Sequence, residues 1–182
     1  MELLVVLAIV VVVLGWFVVT YNRLVVGRNR VDNAWGQVDV QLGRRNDLVP
    51  NLVETVKGYA SHERETLDQV VQARNRSQAA TTPGEAAEAE NMLTGALRQL
   101  FALAEAYPDL KASAGFRDLQ AQLTDTEDKI AIARQIYNDT VLTYNNRVQT
   151  VPSNVVASLA GFDTRDFFDA PESAAEPPRV DF

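Results

Sequence analysis

A chain of 182 residues, 47% of them hydrophobic, is long enough for one domain with a core and belongs to the globular or membrane-attached class. It contains no cysteine, which excludes disulfides, thiolate metal sites, a cysteine nucleophile and a lipidated cysteine. With 17 basic against 24 acidic residues, a formal charge of -7 and no dense basic patch, it is not built to neutralise phosphates along a nucleic acid.

Leu3 to Thr20 carries no charged side chain. At about 1.5 Å per residue, such a run as a helix roughly matches a 30 Å hydrocarbon core. Its β-branched residues are tolerated in lipid, where backbone hydrogen bonds must close within the helix. Trp16 and Tyr21 stand toward its end, where amphipathic rings favour the headgroup level. Glu2 in place of a basic n-region, the length of the run and the lack of a small-x-small site argue against a cleaved signal peptide. The expectation is a single-pass anchor over residues 1–21. Arg23, Arg28 and Arg30 follow it, so the positive-inside rule places the C-terminal domain in the cytoplasm. The same arginines are candidate contacts for anionic headgroups.

Leu24, Val31, Trp35, Val38, Leu42, Val49, Leu52, Val56 and Tyr59 then recur with a period of about 3.5, a helix with one buried, coiled-coil-like seam. Arg28 and Arg45 fall on that seam, where an arginine can lay its stem on apolar surface and send its charge outward. Pro50 removes a backbone donor and clashes with the preceding turn unless it sits in a first turn. Asn46 and Asp47 can cap such a new helix, and a break there gives segments of about 40 and 45 Å rather than one of about 80 Å. The unbroken heptad register favours the alternative, a helix that runs through with a kink. The helix lengths favour a break or a sharp bend at Pro50, which is the expectation. The stripe resumes at Leu67, Val70 and Val71.

Thr81 to Gly84 reads as a turn, with Glu85 at the favourable positive end of the next helix. Met92, Leu93, Ala96, Leu97, Leu100, Phe101 and Leu103 form that helix's apolar face, which stops before Tyr107-Pro108. A last long helix spans about 116–148, with Asp125, Glu127, Asp128 and Lys129 as a solvated middle and Tyr137-Asn138 and Tyr144-Asn145 packing seven residues apart. Pro152 is expected to end regular structure. Six acids and three prolines from Asp163 onward suggest an extended acidic tail. The fold class is therefore all-α: a transmembrane helix, an antiparallel up-and-down four-helix bundle over 22–150 and a C-terminal extended tail over 151–182.

No reactive constellation emerges. His62-Glu63-Arg64-Glu65 lacks the second histidine that a zinc helix needs, since His62 is the chain's only histidine. Glu63, Glu65 and Asp68 offer weak cation ligands, better explained as an exposed helix face. Asp125 with Asp128 and Glu85 with Glu88 imply no cleft in which burial could tune an acid and a base. Glu-x-x-His pairs for a di-metal site are missing, and no cofactor is expected.

Tyr21 to Val25, Val31 to Trp35 and the run Gln41-Leu42-Gly43-Arg44-Arg45-Asn46-Asp47-Leu48-Val49-Pro50-Asn51-Leu52-Val53 resemble the signature of the LemA family. Val56 to Ala60, His62-Glu63, Tyr144-Asn145, Pro152 to Asn154 and the closing Pro178 to Phe182 continue the likeness across nearly the whole chain. The resemblance implies one N-terminal transmembrane helix in a bacterial cell membrane, an antiparallel helical bundle and no enzymatic activity. It also implies a loose association with envelope stress and membrane-protein quality control, including membrane metallopeptidases, and in one branch with magnetosome formation. Within the signature, Arg44, Arg45, Asp47, Lys57 and Tyr59 are the candidate interaction surface, against the simpler reading of a capped helix junction with internal ion pairs. Gly58 is expected to let two helix backbones approach closely, at a propensity cost of about 1 kcal/mol relative to alanine. The expected role is a membrane-anchored scaffold or adaptor with a second copy or a membrane protein as partner. The alternative is a homo-oligomer that organises or remodels the bilayer.

Overall fold

The computed structural model describes residues 1–168 of the chain. It is helical, with no strand among the described residues: α1 (Glu2–Lys57), α2 (Arg64–Ala79), α3 (Pro83–Ala104), α4 (Pro108–Ala112), α5 (Ala114–Gln149) and α6 (Ser153–Ala160). These divide into two compact units, one of residues 1–36 with 136–166, the other of 37–135 with 167–168. The acidic tail expected further on lies largely outside the described residues.

In the larger unit, Val49, Leu52 and Val56 of α1 meet Leu67 and Val70 of α2, Leu93, Leu97 and Leu100 of α3, Leu110 of α4 and Phe116 and Leu123 of α5 in one buried apolar cluster. α1, α2 and α3 contribute residues three or four apart and α5 residues seven apart, spacings that keep an apolar stripe on one face. Alanines at 86, 89, 96 and 104 are buried on the same side of α3, favouring both the helix and close packing. Thr82 caps α3: its hydroxyl accepts from the Glu85 amide while the Glu85 carboxylate accepts from the Thr82 amide. α2 and α3 lie side by side, with Ser77 against Glu90 near their connecting turn and Glu63 against Tyr107 at the other end.

Three expectations are corrected here. α1 does not break at Pro50 but runs through it to Lys57. Its end is set by the turn at 58–63 instead, where Gly58 and Ser61 are the sequence signals. Gly58 meets only the carbonyls of Thr55 and Glu54, in its own preceding turn, so it mediates no helix–helix approach. And Pro152 does not end regular structure, because α6 follows it directly.

In the smaller unit, α6 buries Val156 and Ala157 against Leu24, with Phe17, Val25 and Val148 at the margin. Gly161 stops α6 in the left-handed region (φ 69°), which a residue without Cβ adopts freely. The Phe162 amide then donates to the Ala157 carbonyl at 2.9 Å, and Phe162 enters the same cluster. The chain continues along α5 as a strap. Tyr144 and Tyr137 donate their hydroxyls to the carbonyls of Asp163 (3.0 Å) and Asp166 (2.7 Å). Asn145 donates to the Arg165 carbonyl and accepts from the Arg165 amide, both at 2.8 Å. The Tyr-Asn spacing therefore holds a strap as well as a core.

Close approach in this unit occurs at Gly27, where a Cβ would stand 3.1 Å from the Tyr144 ring. Burial pushes the hydroxyl pKa of both Tyr137 and Tyr144 above the ordinary value. Their folded-state pKa being raised, the stability they add is fully present below about pH 10 and is lost as pH rises through the folded value. Thermal unfolding across pH is expected to show an alkaline decline that Tyr137→Phe/Tyr144→Phe lacks. Asn145→Ala is expected to cost about 1–3 kcal/mol and to speed amide exchange at 163–166.

Candidate functional site

The signature stretch of α1 centres on a cluster of buried polar groups in the larger unit. Pro50 has no N–H, so the Asn46 carbonyl four residues earlier loses its helical donor. Arg74 of α2 replaces it: its Nε donates to that carbonyl at 2.9 Å. The ring of Pro50 faces solvent. The helix thus continues through the proline because a neighbouring helix supplies the missing hydrogen bond.

Around this joint the remaining polar groups form a chain. Asn46 donates through Nδ2 to Ser77 Oγ at 2.9 Å, and Ser77 donates to Glu90 Oε1 at 2.8 Å. The other carboxylate oxygen of Glu90 accepts from Arg45 Nη1 at 2.9 Å. Arg45 and Glu90 are almost completely buried, at 3% and 4% exposure. Arg45 Nη2 stands 3.9 Å from the half-exposed Glu127 carboxylate. Glu90 also opposes the burial that pulls the Arg134 guanidinium below its ordinary pKa. Two cations and two carboxylates are thereby balanced among α1, α3 and α5. Arg45 Nε and Asn46 Oδ1 remain buried without a hydrogen-bond partner.

This arrangement separates the candidate interaction residues. Arg45 is interior, contrary to the expectation that its charge points outward. Arg44, Asp47, Lys57 and Tyr59 are exposed. Arg44 faces α5 closely enough to help hold the Asp125 carboxyl below its usual value, an effect led by the hydrogen bond from Lys129. Lys57 lies about 20 Å further along the helix, beside Glu54, so the four exposed residues do not form one tight patch.

Of the acid–base candidates, Glu85 closes the cap of α3 and Asp125 accepts from Lys129. Glu63, weighed as a cation ligand, accepts from the Tyr107 hydroxyl at 2.9 Å, which raises that hydroxyl's pKa. No group of three or more metal-ligating side chains occurs among the described residues. Sequence reasoning missed Glu90, Ser77 and Arg74. A glutamate at the centre of an otherwise alanine- and leucine-rich helix face was the available signal.

In the smaller unit Arg23, Arg28 and Arg30 are exposed on α1, just beyond the apolar run. Arg28 differs from the other two: its guanidinium stacks on the Phe162 ring, 5.3 Å from the centroid. The run itself is almost wholly exposed; Leu14 is 59% accessible where Leu24 is 1%. It is the one helix segment, among the described residues, long and apolar enough to cross a bilayer.

The model of the LemA family matches residues 34–182, which include this whole polar cluster. The chain belongs to the LemA family. It is 28% identical to Protein LemA of Metamycoplasma hominis, over 83% of this chain and 69% of that one. It is 25% identical to the magnetosome protein MamQ of Magnetospirillum gryphiswaldense, over 89% of this chain and 71% of that protein. Magnetosome protein MamQ 2 of Paramagnetospirillum magneticum is 23% identical, over 87% and 68% respectively. None of these names is that of an enzyme. The family and the apolar N-terminal helix together fit a membrane protein.

Removing one partner of a buried pair leaves the other charge uncompensated. Arg45→Met and Glu90→Leu are each expected to destabilise by about 3–5 kcal/mol, and the double variant by much less than their sum. Arg74→Ala, which orphans the Asn46 carbonyl, is expected to cost about 1–3 kcal/mol. Denaturant unfolding of the four proteins checks all three.

Proposed function

We propose that this chain is a non-enzymatic, membrane-anchored scaffold or adaptor that acts through protein–protein contact in envelope stress or membrane-protein quality control. The observation that carries the reading is the contrast along α1 between an exposed apolar run and a buried seam. A bare apolar helix in water is costly, and a bilayer covers it on all sides. Arg23, Arg28 and Arg30 then favour a cytoplasmic body, with residues 1–21 as the single anchor. The body of this reading is an antiparallel up-and-down four-helix bundle of α1, α2, α3 and α5.

The buried ion pair supports a structural rather than a chemical use of the signature. Arg45 and Glu90 pair with each other, and Glu90 is linked through Ser77 to Asn46, inside the fold. Contact with other molecules falls to the exposed residues Arg44, Asp47, Lys57 and Tyr59. A second copy or a membrane-protein partner such as a metallopeptidase suits that surface. A second reading, a homo-oligomer that organises or remodels the membrane, is favoured by Ile136 and Leu142, apolar residues left exposed on α5.

In-cell crosslinking of the tagged chain in its native membrane, with mass spectrometry of the captured proteins, is the test. The adaptor reading expects a membrane protein whose yield falls in Arg44→Ala and Lys57→Ala. Capture of the chain alone, in a large defined oligomer, supports the second reading and overturns the first. Capture unchanged by both substitutions removes this surface as the contact.

A further inference from the structure

Trp16, Val19, Arg23, Val26 and Arg30 recur every three or four residues of α1 and therefore share one face. Arg147, near the end of α5, reaches the same face. It borders three adjoining open clefts of about 560, 280 and 230 Å³. The largest has Val19, Asn22, Arg23, Val26 and Arg30 on its other walls. Arg30 recurs in the second, and Arg23 recurs in the third beside Trp16. Gly27 makes this convergence possible: the Tyr144 ring packs against it, and Arg147 Nη1 lies 3.9 Å from where its Cβ would stand.

Arg23, Arg30 and Arg147 form no ion pair among the described residues. Asp139 borders the second cleft without pairing. Three guanidiniums around one opening repel one another unless an anion lies between them, and their planar forks suit phosphate oxygens. The surroundings select among phosphates. Trp16 and Val19 belong to the apolar run, so the clefts begin where that run ends. On the other side, α6 packs Val156 and Ala157 on Leu24 beside Phe17 while leaving Val155 and Leu159, four residues apart, exposed with Val151. An exposed apolar stripe at that level is what an interfacial helix presents to lipid.

We propose that Arg23, Arg30 and Arg147 bind the phosphate headgroup of an anionic phospholipid whose acyl chains contact Trp16, Val19, Val155 and Leu159. The proposal rests on the membrane-anchored reading. It assigns Arg147 a role alongside Arg23 and Arg30, and it separates Arg28, which is engaged with Phe162.

The test uses the full chain in nanodiscs of phosphatidylcholine with a minor fraction of phosphatidylglycerol. Spin-labelled versions of each lipid report relative retention at the protein. A several-fold preference for phosphatidylglycerol is expected, reduced toward parity in Arg147→Gln and in Arg23→Gln, partly kept in Arg147→Lys and unchanged in Arg28→Gln. Equal losses in Arg28→Gln and Arg147→Gln would mean a diffuse basic collar and overturn the site. Full displacement of labelled lipid by inorganic phosphate would overturn a lipid occupant in favour of a free anion. Carbonate extraction separates the two levels: a wild-type chain that extracts sinks the anchoring itself, whereas an inserted chain without lipid preference sinks only this proposal.

Discussion

The larger unit is organised by one missing hydrogen. Pro50 deprives the Asn46 carbonyl of its helical donor in the middle of a helix whose other face is buried. A buried carbonyl left unpaired costs on the order of 1–3 kcal/mol, enough to favour a kink or a break. Arg74 supplies the missing donor, and doing so ties α2 to this level of α1. Ser77, one turn later, then accepts from the Asn46 side-chain amide and donates its hydroxyl to Glu90. The joint at Pro50 and the polar chain beside it thus link three helices.

The helical class, the exposed apolar run, the turn before Glu85 and most seam positions were legible from spacing alone. Val31, Val38, Leu42, Val49, Leu52 and Val56 are all buried as the period requires. What failed was local logic that needs a partner from elsewhere. Pro50 reads as a breaker because its rescuer lies 24 positions further on, in Arg74. Arg45 reads as a snorkelling side chain because nothing nearby in sequence announces Glu90, 45 positions away. Gly58 and Gly27 look alike in a sequence, yet only Gly27 lies under another helix's side chain. Of the proposed interaction residues, the motif placed Arg44, Asp47, Lys57 and Tyr59 on the surface and hid Arg45.

The smaller unit solves a different problem with similar means. From Phe162 to Phe168 the chain has no regular structure of its own, and its backbone groups need partners. α5 provides them at a seven-residue interval, from Tyr137, Tyr144 and Asn145. Asp32 reaches the Arg165 guanidinium at 3.1 Å, so α1 also holds the strap. Phe162 lies between the edge of Tyr21, at 5.5 Å, and the Arg28 guanidinium. A segment that composition marks as an acidic tail is, over its first residues, a bound strap.

The buried ion pair calls for a reason beyond stability. Desolvating Arg45 and Glu90 costs several kcal/mol per charge, and a well-packed apolar pair of similar volume often serves a fold as well or better. An apolar pair, however, tolerates a one-turn slip of α3 against α1, because the alanine and leucine stripe of α3 would find similar neighbours a turn away. A buried carboxylate does not: displaced by one turn, about 5.4 Å, Glu90 would lose Arg45 and Ser77 together. The same slip would leave Arg45 buried with its charge unanswered. Charge at this position therefore selects one register among several that hydrophobicity alone would permit. That selection also fixes where the exposed Arg44 and Asp47 of α1 stand relative to α3 and α5.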